Sequence, residues 1–227
     1  VEELSAYRDA FNAKTISGKL AYAVVASDTT DDVADLINLA DPDVTNFDPD
    51  VYLPALTSMT GSASDVIDFY NLTNVLQNEA GDALGDEAVT LTDTTLAASV
   101  LNSVDTKTTG LIDASTVTTL TGAAADMNTA YASAGLTGLG DEASTLSDVA
   151  LDAAILETLV GNTSGAIDAT SIVTLTGAAS EIIAAINAGV SFKADVVINV
   201  DEPASAADIS IIAAITTGAV TATSSTT

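Results

Sequence analysis

Apolar residues recur along this chain at two spacings. Stretches with a three-four spacing alternate with short runs rich in Val, Ile and Thr. Val33, Leu36, Ile37 and Ala40 share one helical face, as do Met127, Ala130, Tyr131 and Ala134. Ile155, Leu156 and Leu159, then Ile182, Ile183 and Ile186, then Ile209, Ile212 and Ala213 continue the series, and a further helix is expected over 65–77. Segments 20–26, 89–92, 111–120, 166–175 and 194–200 carry the β-branched residues that fit a pleated surface, and they predict strands.

The pattern repeats itself. Leu84-Gly85-Asp86-Glu87-Ala88 returns 55 positions later as Leu139-Gly140-Asp141-Glu142-Ala143. Val117-Thr118-Thr119-Leu120-Thr121-Gly122-Ala123-Ala124 returns at the same spacing as Ile172-Val173-Thr174-Leu175-Thr176-Gly177-Ala178-Ala179. A fixed period signals stacked units, none of which buries its apolar face alone. The expectation is an α/β strand-helix solenoid with parallel strands, two strand-helix units to each 55-residue repeat. Residues 1–83 are divergent strand-helix units with an acidic insert at 41–54; 84–218 are the regular repeats; 219–227 form a C-terminal strand. Gly110, Gly165 and Gly218 read as left-handed helix stops, Thr121 and Thr176 as N-caps, and Asp93 and Ser147 as caps of the alternate helices. Asp126 and Glu181 lie near helix starts, where the dipole favours them.

Charge narrows the choice of partner. The chain has 32 acidic and 5 basic residues, a net charge of −27. Nucleic acid is excluded as a partner, because phosphate binding needs clustered Lys and Arg. Anionic membrane surfaces are disfavoured for the same reason, and no apolar run is long enough for membrane insertion. Self-repulsion at this charge calls for screening by salt or divalent cations, such as an extracellular setting supplies. The chain has no Cys and no His, which removes the common general base and the thiol nucleophile. No phosphate-cradling glycine motif occurs. An enzyme is therefore not expected.

Two sets of residues stand out. Asp41, Asp43, Asn46, Asp48 and Asp50 place several hard oxygens at close spacing, the chemistry that calcium requires. Asp86-Glu87 and Asp141-Glu142 could bridge neighbours through calcium in a weaker version of the same idea. The second set lies at the termini. Residues 218–223 read as the opening of a unit, without the helix that should follow, and Leu4, Tyr7 and Phe11 form a helical stripe with no strand before it. Writing Thr227 onto Val1 completes a half-repeat between Gly218 and Gly18. The two ends are expected to be complementary, with Ala219, Val220 and Ala222 meeting Leu4, Tyr7 and Phe11 of a neighbour head to tail.

The element Val117–Ala143 resembles repeats in very large, acidic cell-surface and secreted proteins of marine cyanobacteria and other aquatic bacteria. That resemblance implies display outside the cell, possible calcium binding and no catalysis. The function expected is a structural extracellular repeat protein assembling into a filament, sheath or surface layer. The alternative is an adhesion module of a cell-surface or phage fibre, calcium-dependent if the acidic insert binds metal.

Overall fold

The computed structural model describes residues 22–23, 30–32, 51–52, 58–71, 75–76 and 85–223. In chain order these form β1 (Tyr22–Ala23), β2 (Thr30–Asp32), β3 (Val51–Tyr52), β4 (Ser58–Gly61), α1 (Ala63–Tyr70), β5 (Val75–Leu76), β6 (Ala88–Leu91), β7 (Thr95–Ala97) and α2 (Ala98–Asp105). There follow β8 (Ile112–Asp113), β9 (Thr119–Gly122), α3 (Ala124–Ala132), β10 (Leu136–Thr137), β11 (Ala143–Leu146), β12 (Ala150–Asp152) and α4 (Ala153–Asn162). The last are β13 (Ile167–Ala169), β14 (Thr174–Gly177), α5 (Ala179–Asn187), β15 (Ser191–Phe192), β16 (Val197–Val200), α6 (Ala206–Ala213) and β17 (Val220–Ala222). The fold is α/β, strands alternate with helices, and every strand pairing among the described residues is parallel.

The chain divides into two compact units. The first takes Val1–Asp93, Ser103–Thr116 and Gly135–Thr137. It holds a 3-stranded sheet, β1-β3-β5, and a 5-stranded sheet, β10-β8-β6-β4-β2. The second takes Thr94–Asn102, Val117–Ala134 and Gly138–Thr227. It holds a 5-stranded sheet, β15-β13-β11-β9-β7, and a 4-stranded sheet, β12-β14-β16-β17. In the larger sheet of the second unit a helix separates β7 from β9 and β9 from β11: Thr95 pairs with Thr119, and Thr119 with Ala143.

α1 to α5 each bury one stripe that begins at the first alanine, whereas α6 buries only Ile212. α1 buries Ala63, Val66 and Phe69; α3 buries Ala124, Met127 and Ala130; α4 buries Ala153, Leu156 and Leu159; α5 buries Ala179, Ile182 and Ala185. A small residue at the first position lets the helix start directly against its strand, and the larger ones fill the space beyond. On the sheets, leucines stack in register: Leu96 on Leu120 in one sheet, Leu151 on Leu175 in the other. Asparagines stitch the helices of the second unit. Asn128 Nδ2 donates to the Ile155 carbonyl at 2.9 Å, and Asn162 Nδ2 donates to Asn128 Oδ1 at 3.0 Å.

Several expectations change. The segments 111–120 and 166–175 are not single strands. Each breaks into two, because an aspartate turns the chain: Ser115 N–H donates to Asp113 Oδ1, and Thr170 N–H to Asp168 Oδ1, both at 3.0 Å. The hydroxyls of Ser115 and Thr170, and after them these N–H bonds, hold both carboxyls below their usual range. The hydroxyls of Thr116 and Ser171 then donate to the carbonyls of Leu91 and Leu146, which fixes the bend. The helix expected over 65–77 is α1, which ends at Tyr70 and gives way to β5. The expected stripe 33–40 lies outside the described residues.

The expected N-caps Thr121 and Thr176 lie within β9 and β14. The strands end instead at Gly122 and Gly177, with φ of 123° and 158°, and the helices begin two residues on. Distant aspartates cap two helices, and the first of them, Asp93, serves α1 beside that helix's own Ser62 and not the alternate helix α2. Asp93 Oδ2 accepts from Ala63 N–H of α1 at 2.7 Å, and Asp148 Oδ2 from Ala124 N–H of α3 at 2.9 Å. The repeat places Pro203 where a third such aspartate would stand, and α5 is capped by its own Glu181, whose carboxylate accepts from Ala178 N–H at 3.0 Å. For α4 the cap is Asp152 rather than Ser147, accepting from Ala154 N–H at 2.8 Å.

Candidate functional site

The sequence element Gly-Asp-Glu builds one buried polar cluster in each unit. In the first unit, Glu87 leads into β6 and is fully buried. Its carboxylate accepts from Tyr70 Oη at the end of α1 at 2.9 Å and from Gly85 N–H at 3.0 Å. In the second unit, Glu142 leads into β11 and is 1% exposed. It accepts from Tyr131 Oη of α3 at 2.9 Å and from Gly140 N–H at 2.9 Å. The two tyrosines do not follow the 55-residue spacing, because the first unit has a longer connection between helix and glutamate. They do stand at the same place along their helices.

A threonine-x-glycine turn closes each cluster. Thr108 Oγ1 donates to the Glu87 carbonyl at 2.8 Å and accepts from Gly110 N–H at 2.9 Å. Thr163 Oγ1 donates to the Glu142 carbonyl at 3.1 Å and accepts from Gly165 N–H at 3.0 Å. A Cβ on Gly110 or Gly165 would fall well inside van der Waals contact of those same glutamate carbonyls. The glycines expected to be left-handed helix stops therefore serve close backbone approach, and their φ is not positive.

Burial dominates the electrostatics. It pushes the Glu87 carboxyl above its usual range, with the Asp86 charge adding to the rise and the hydrogen bonds from Tyr70 and Gly85 opposing it. Burial likewise pushes the Tyr131 hydroxyl to about 12 and raises that of Tyr70. The second cluster has an extra polar atom. Ser144, 1% exposed, has a hydroxyl with no hydrogen-bond partner among the described residues, where the first unit has Val89.

These clusters bear on the calcium expectation. Glu87 and Glu142 turn inward onto a tyrosine and a glycine N–H, so neither is presented for bridging. No group of three or more acidic, His or Cys side chains is disposed to hold a metal ion among the described residues. Asp41, Asp43, Asn46, Asp48 and Asp50 lie outside them. No described helix is long and apolar enough to cross a membrane.

Of the assembly residues, Leu4, Tyr7 and Phe11 also lie outside the described residues. Ala219, Val220 and Ala222 are at β17, the last strand of its sheet. Ile198 N–H donates to the Ala219 carbonyl and Thr223 N–H to the Val200 carbonyl, each at 3.0 Å. In a parallel ladder alternate residues face opposite neighbours. Residues 219, 221 and 223 therefore face β16, and Val220 and Ala222 direct N–H and C=O to the outer edge. The outer edge was legible only in part from the sequence: the strand was foreseen, but which residues face out follows from the register. No family model, curated protein or solved structure matches this chain.

Proposed function

We propose that the chain is a structural repeat protein acting outside the cell, a strand-helix solenoid that assembles head to tail into a filament, sheath or surface layer. The observation that carries this reading is the stacking of parallel strands, β4, β6, β8 and β10 in one sheet and β7, β9, β11, β13 and β15 in another, with a helix layer in which α3, α4, α5 and α6 pack in turn.

Other features support a scaffold. Among the described residues the buried charged or polar side chains are the two glutamates, Ser144 and the threonines of the turns, all but Ser144 hydrogen-bonded within their own unit. Element bounds support the 55-residue reading: β6, β7, α2, β8 and β9 begin at 88, 95, 98, 112 and 119, and β11, β12, α4, β13 and β14 at 143, 150, 153, 167 and 174. A net charge of −27 opposes indiscriminate association and makes assembly depend on screening. The experiment is sedimentation with negative-stain microscopy of the purified chain across a salt and calcium series. Linear particles that grow with screening are expected. A chain that stays monomeric throughout would overturn the reading.

A further inference from the structure

We propose that Glu142, Tyr131 and Ser144 of the second unit form a buried site for one small monovalent cation, with sodium as the probe that fits it. The site is independent of whether and how the chain assembles.

Ser144 is the residue that calls for an explanation. Val89, Ser144 and Ile198 occupy the same place, the second residue of β6, β11 and β16. Val89 pairs with Met59 and Ile112, Ser144 with Leu120 and Ile167, and Ile198 with Leu175 and Val220. All six neighbours are apolar, and a valine or isoleucine suits such a row. Ser144 is 1% exposed, and its hydroxyl has no hydrogen-bond partner among the described residues. A buried hydroxyl left unpaired destabilises the fold. The glutamate does not require it, because Glu87 is buried against Tyr70 with Val89 two residues on.

The hydroxyl belongs to the glutamate cluster by position. Residues two apart along a strand share a face, so Ser144 and Glu142 both turn to the buried side of β11. Burial raises the Tyr131 hydroxyl, and the hydroxyls of Thr163 and Ser144 act on it in the opposite direction. Ser144 Oγ therefore stands near Tyr131 Oη without a hydrogen bond between them. Serine is smaller than the valine or isoleucine of the other two rows, which leaves room beside that pair of oxygens.

Glu142 supplies the charge. Its carboxylate accepts from Tyr131 Oη and from Gly140 N–H, and a carboxylate has capacity for about four such bonds. Buried charges are ordinarily paired with an opposite charge or bound to a metal ion. The described lysines are engaged elsewhere: Lys107 Nζ donates to Asn71 Oδ1 at 2.7 Å, and Lys193 pairs with Asp195 at 3.0 Å. The three side chains of the cluster offer oxygen alone, which suits a hard cation. A single carboxylate balances a single positive charge, whereas calcium sites gather more oxygens and more charge. One monovalent ion compensates Glu142, gives Ser144 Oγ a partner and leaves Tyr131 donating to the carboxylate. The first unit lacks the serine hydroxyl, and there burial raises the Glu87 carboxyl, so a proton takes the place of the ion.

Thermal melting at fixed ionic strength, with sodium chloride exchanged stepwise for choline chloride, tests the site. Choline carries the same charge but is too large for a buried cluster, so general screening is equal in the two salts. The wild-type chain is expected to melt about 4 °C higher once sodium is in tenfold excess over its dissociation constant. Ser144→Val copies the first unit, and Glu142→Gln keeps the shape without the charge. Each variant should melt at one temperature in both salts. If one variant loses its fold, the other decides. A wild-type chain that melts alike in both salts would overturn the site. A sodium-dependent rise that persists in either folded variant would overturn it as well, because the ion would then bind elsewhere.

Discussion

Glu142 and Val196 occupy equivalent places in the second unit, each followed by a strand and each held by a threonine-x-glycine turn. Thr163 Oγ1 donates to the Glu142 carbonyl, and Thr216 Oγ1 donates to the Val196 carbonyl at 2.6 Å. Gly165 and Gly218 both donate N–H to their threonine. The side chains differ as a set. Around Glu142 stand Tyr131 and Gly140. At the corresponding positions near Val196 the chain has Ile186 and Ala194. Val196 is fully buried, so the site is no wetter for being apolar. A buried carboxylate is tolerable only when its lone pairs are bonded, and removing its partners leaves a charge uncompensated. The polar set and the apolar set are thus two solutions on one backbone, and a mixture of the two is the unfavourable case.

The largest effect should come from breaking what the two sites share. Gly165→Ala drives a methyl group into the Glu142 carbonyl, and Gly218→Ala does the same at Val196. Each should cost about 3 kcal/mol, the upper range for overpacking that backbone cannot easily absorb. Urea unfolding would measure it. A glycine replaced at little cost at either site would mean that the turn is not the common framework.

Mixing the two sets comes next. Val196→Glu alone should cost about 3 kcal/mol, since neither Ile186 nor Ala194 as it stands offers the tyrosine hydroxyl. Adding Ile186→Tyr should recover part of that, with a favourable coupling of about 1 kcal/mol in a double-mutant cycle. No coupling would separate the tyrosine from the glutamate and dissolve the comparison. A smaller effect of opposite sign is expected at Ser144. Replacing it by Val, as at position 89 of the first unit, removes an unpaired buried hydroxyl and should stabilise by about 1 kcal/mol.

Much of this was readable from the chain and some was not. Of the expected stripes, Met127, Ala130, Leu156, Leu159 and Ile182 are buried, whereas Tyr131, Ile155, Ile183 and Ile186 are half-buried and Ala134 is exposed, because the helices turn their first alanine and every third residue after it to the core. The parallel α/β class followed from strands and helices in alternation. Strand number did not. The run 111–120 is continuous in composition, and only the Asp113 side chain bonding to Ser115 N–H divides it. Asp93 was read as a cap, but of the next helix, and Asp148 was missed, because both act on helices 30 and 24 residues back in sequence, which no local window contains. Glu87 and Glu142 read as loop charges available to calcium, since nothing local announces that a tyrosine one strand away will take the carboxylate. The signal existed in the third copy, where glutamate, tyrosine and glycine are lost together.

The last contrast concerns protons. Burial and the neighbouring Asp86 raise the Glu87 carboxyl above 4.5, its ordinary value, against its own backbone N–H, the Tyr70 hydroxyl and the Gly85 N–H, which face it. A raised value means that the folded chain holds this proton more tightly than the unfolded chain does. The stability it contributes is complete below 4.5 and is lost as the pH rises through the raised value. Glu87→Gln keeps the shape, accepts from Gly85 through its oxygen and can donate to Tyr70 through its nitrogen, but it does not titrate. The melting temperature of the variant minus that of the wild type should therefore grow as the pH climbs above 4.5 and level off once Glu87 is ionised. General relief of charge repulsion in acid affects both proteins alike and cancels in that difference. A difference that stays flat with pH would mean that the carboxylate is as well solvated in the fold as in the unfolded chain, and that the apolar solution at Val196 relieves no electrostatic cost.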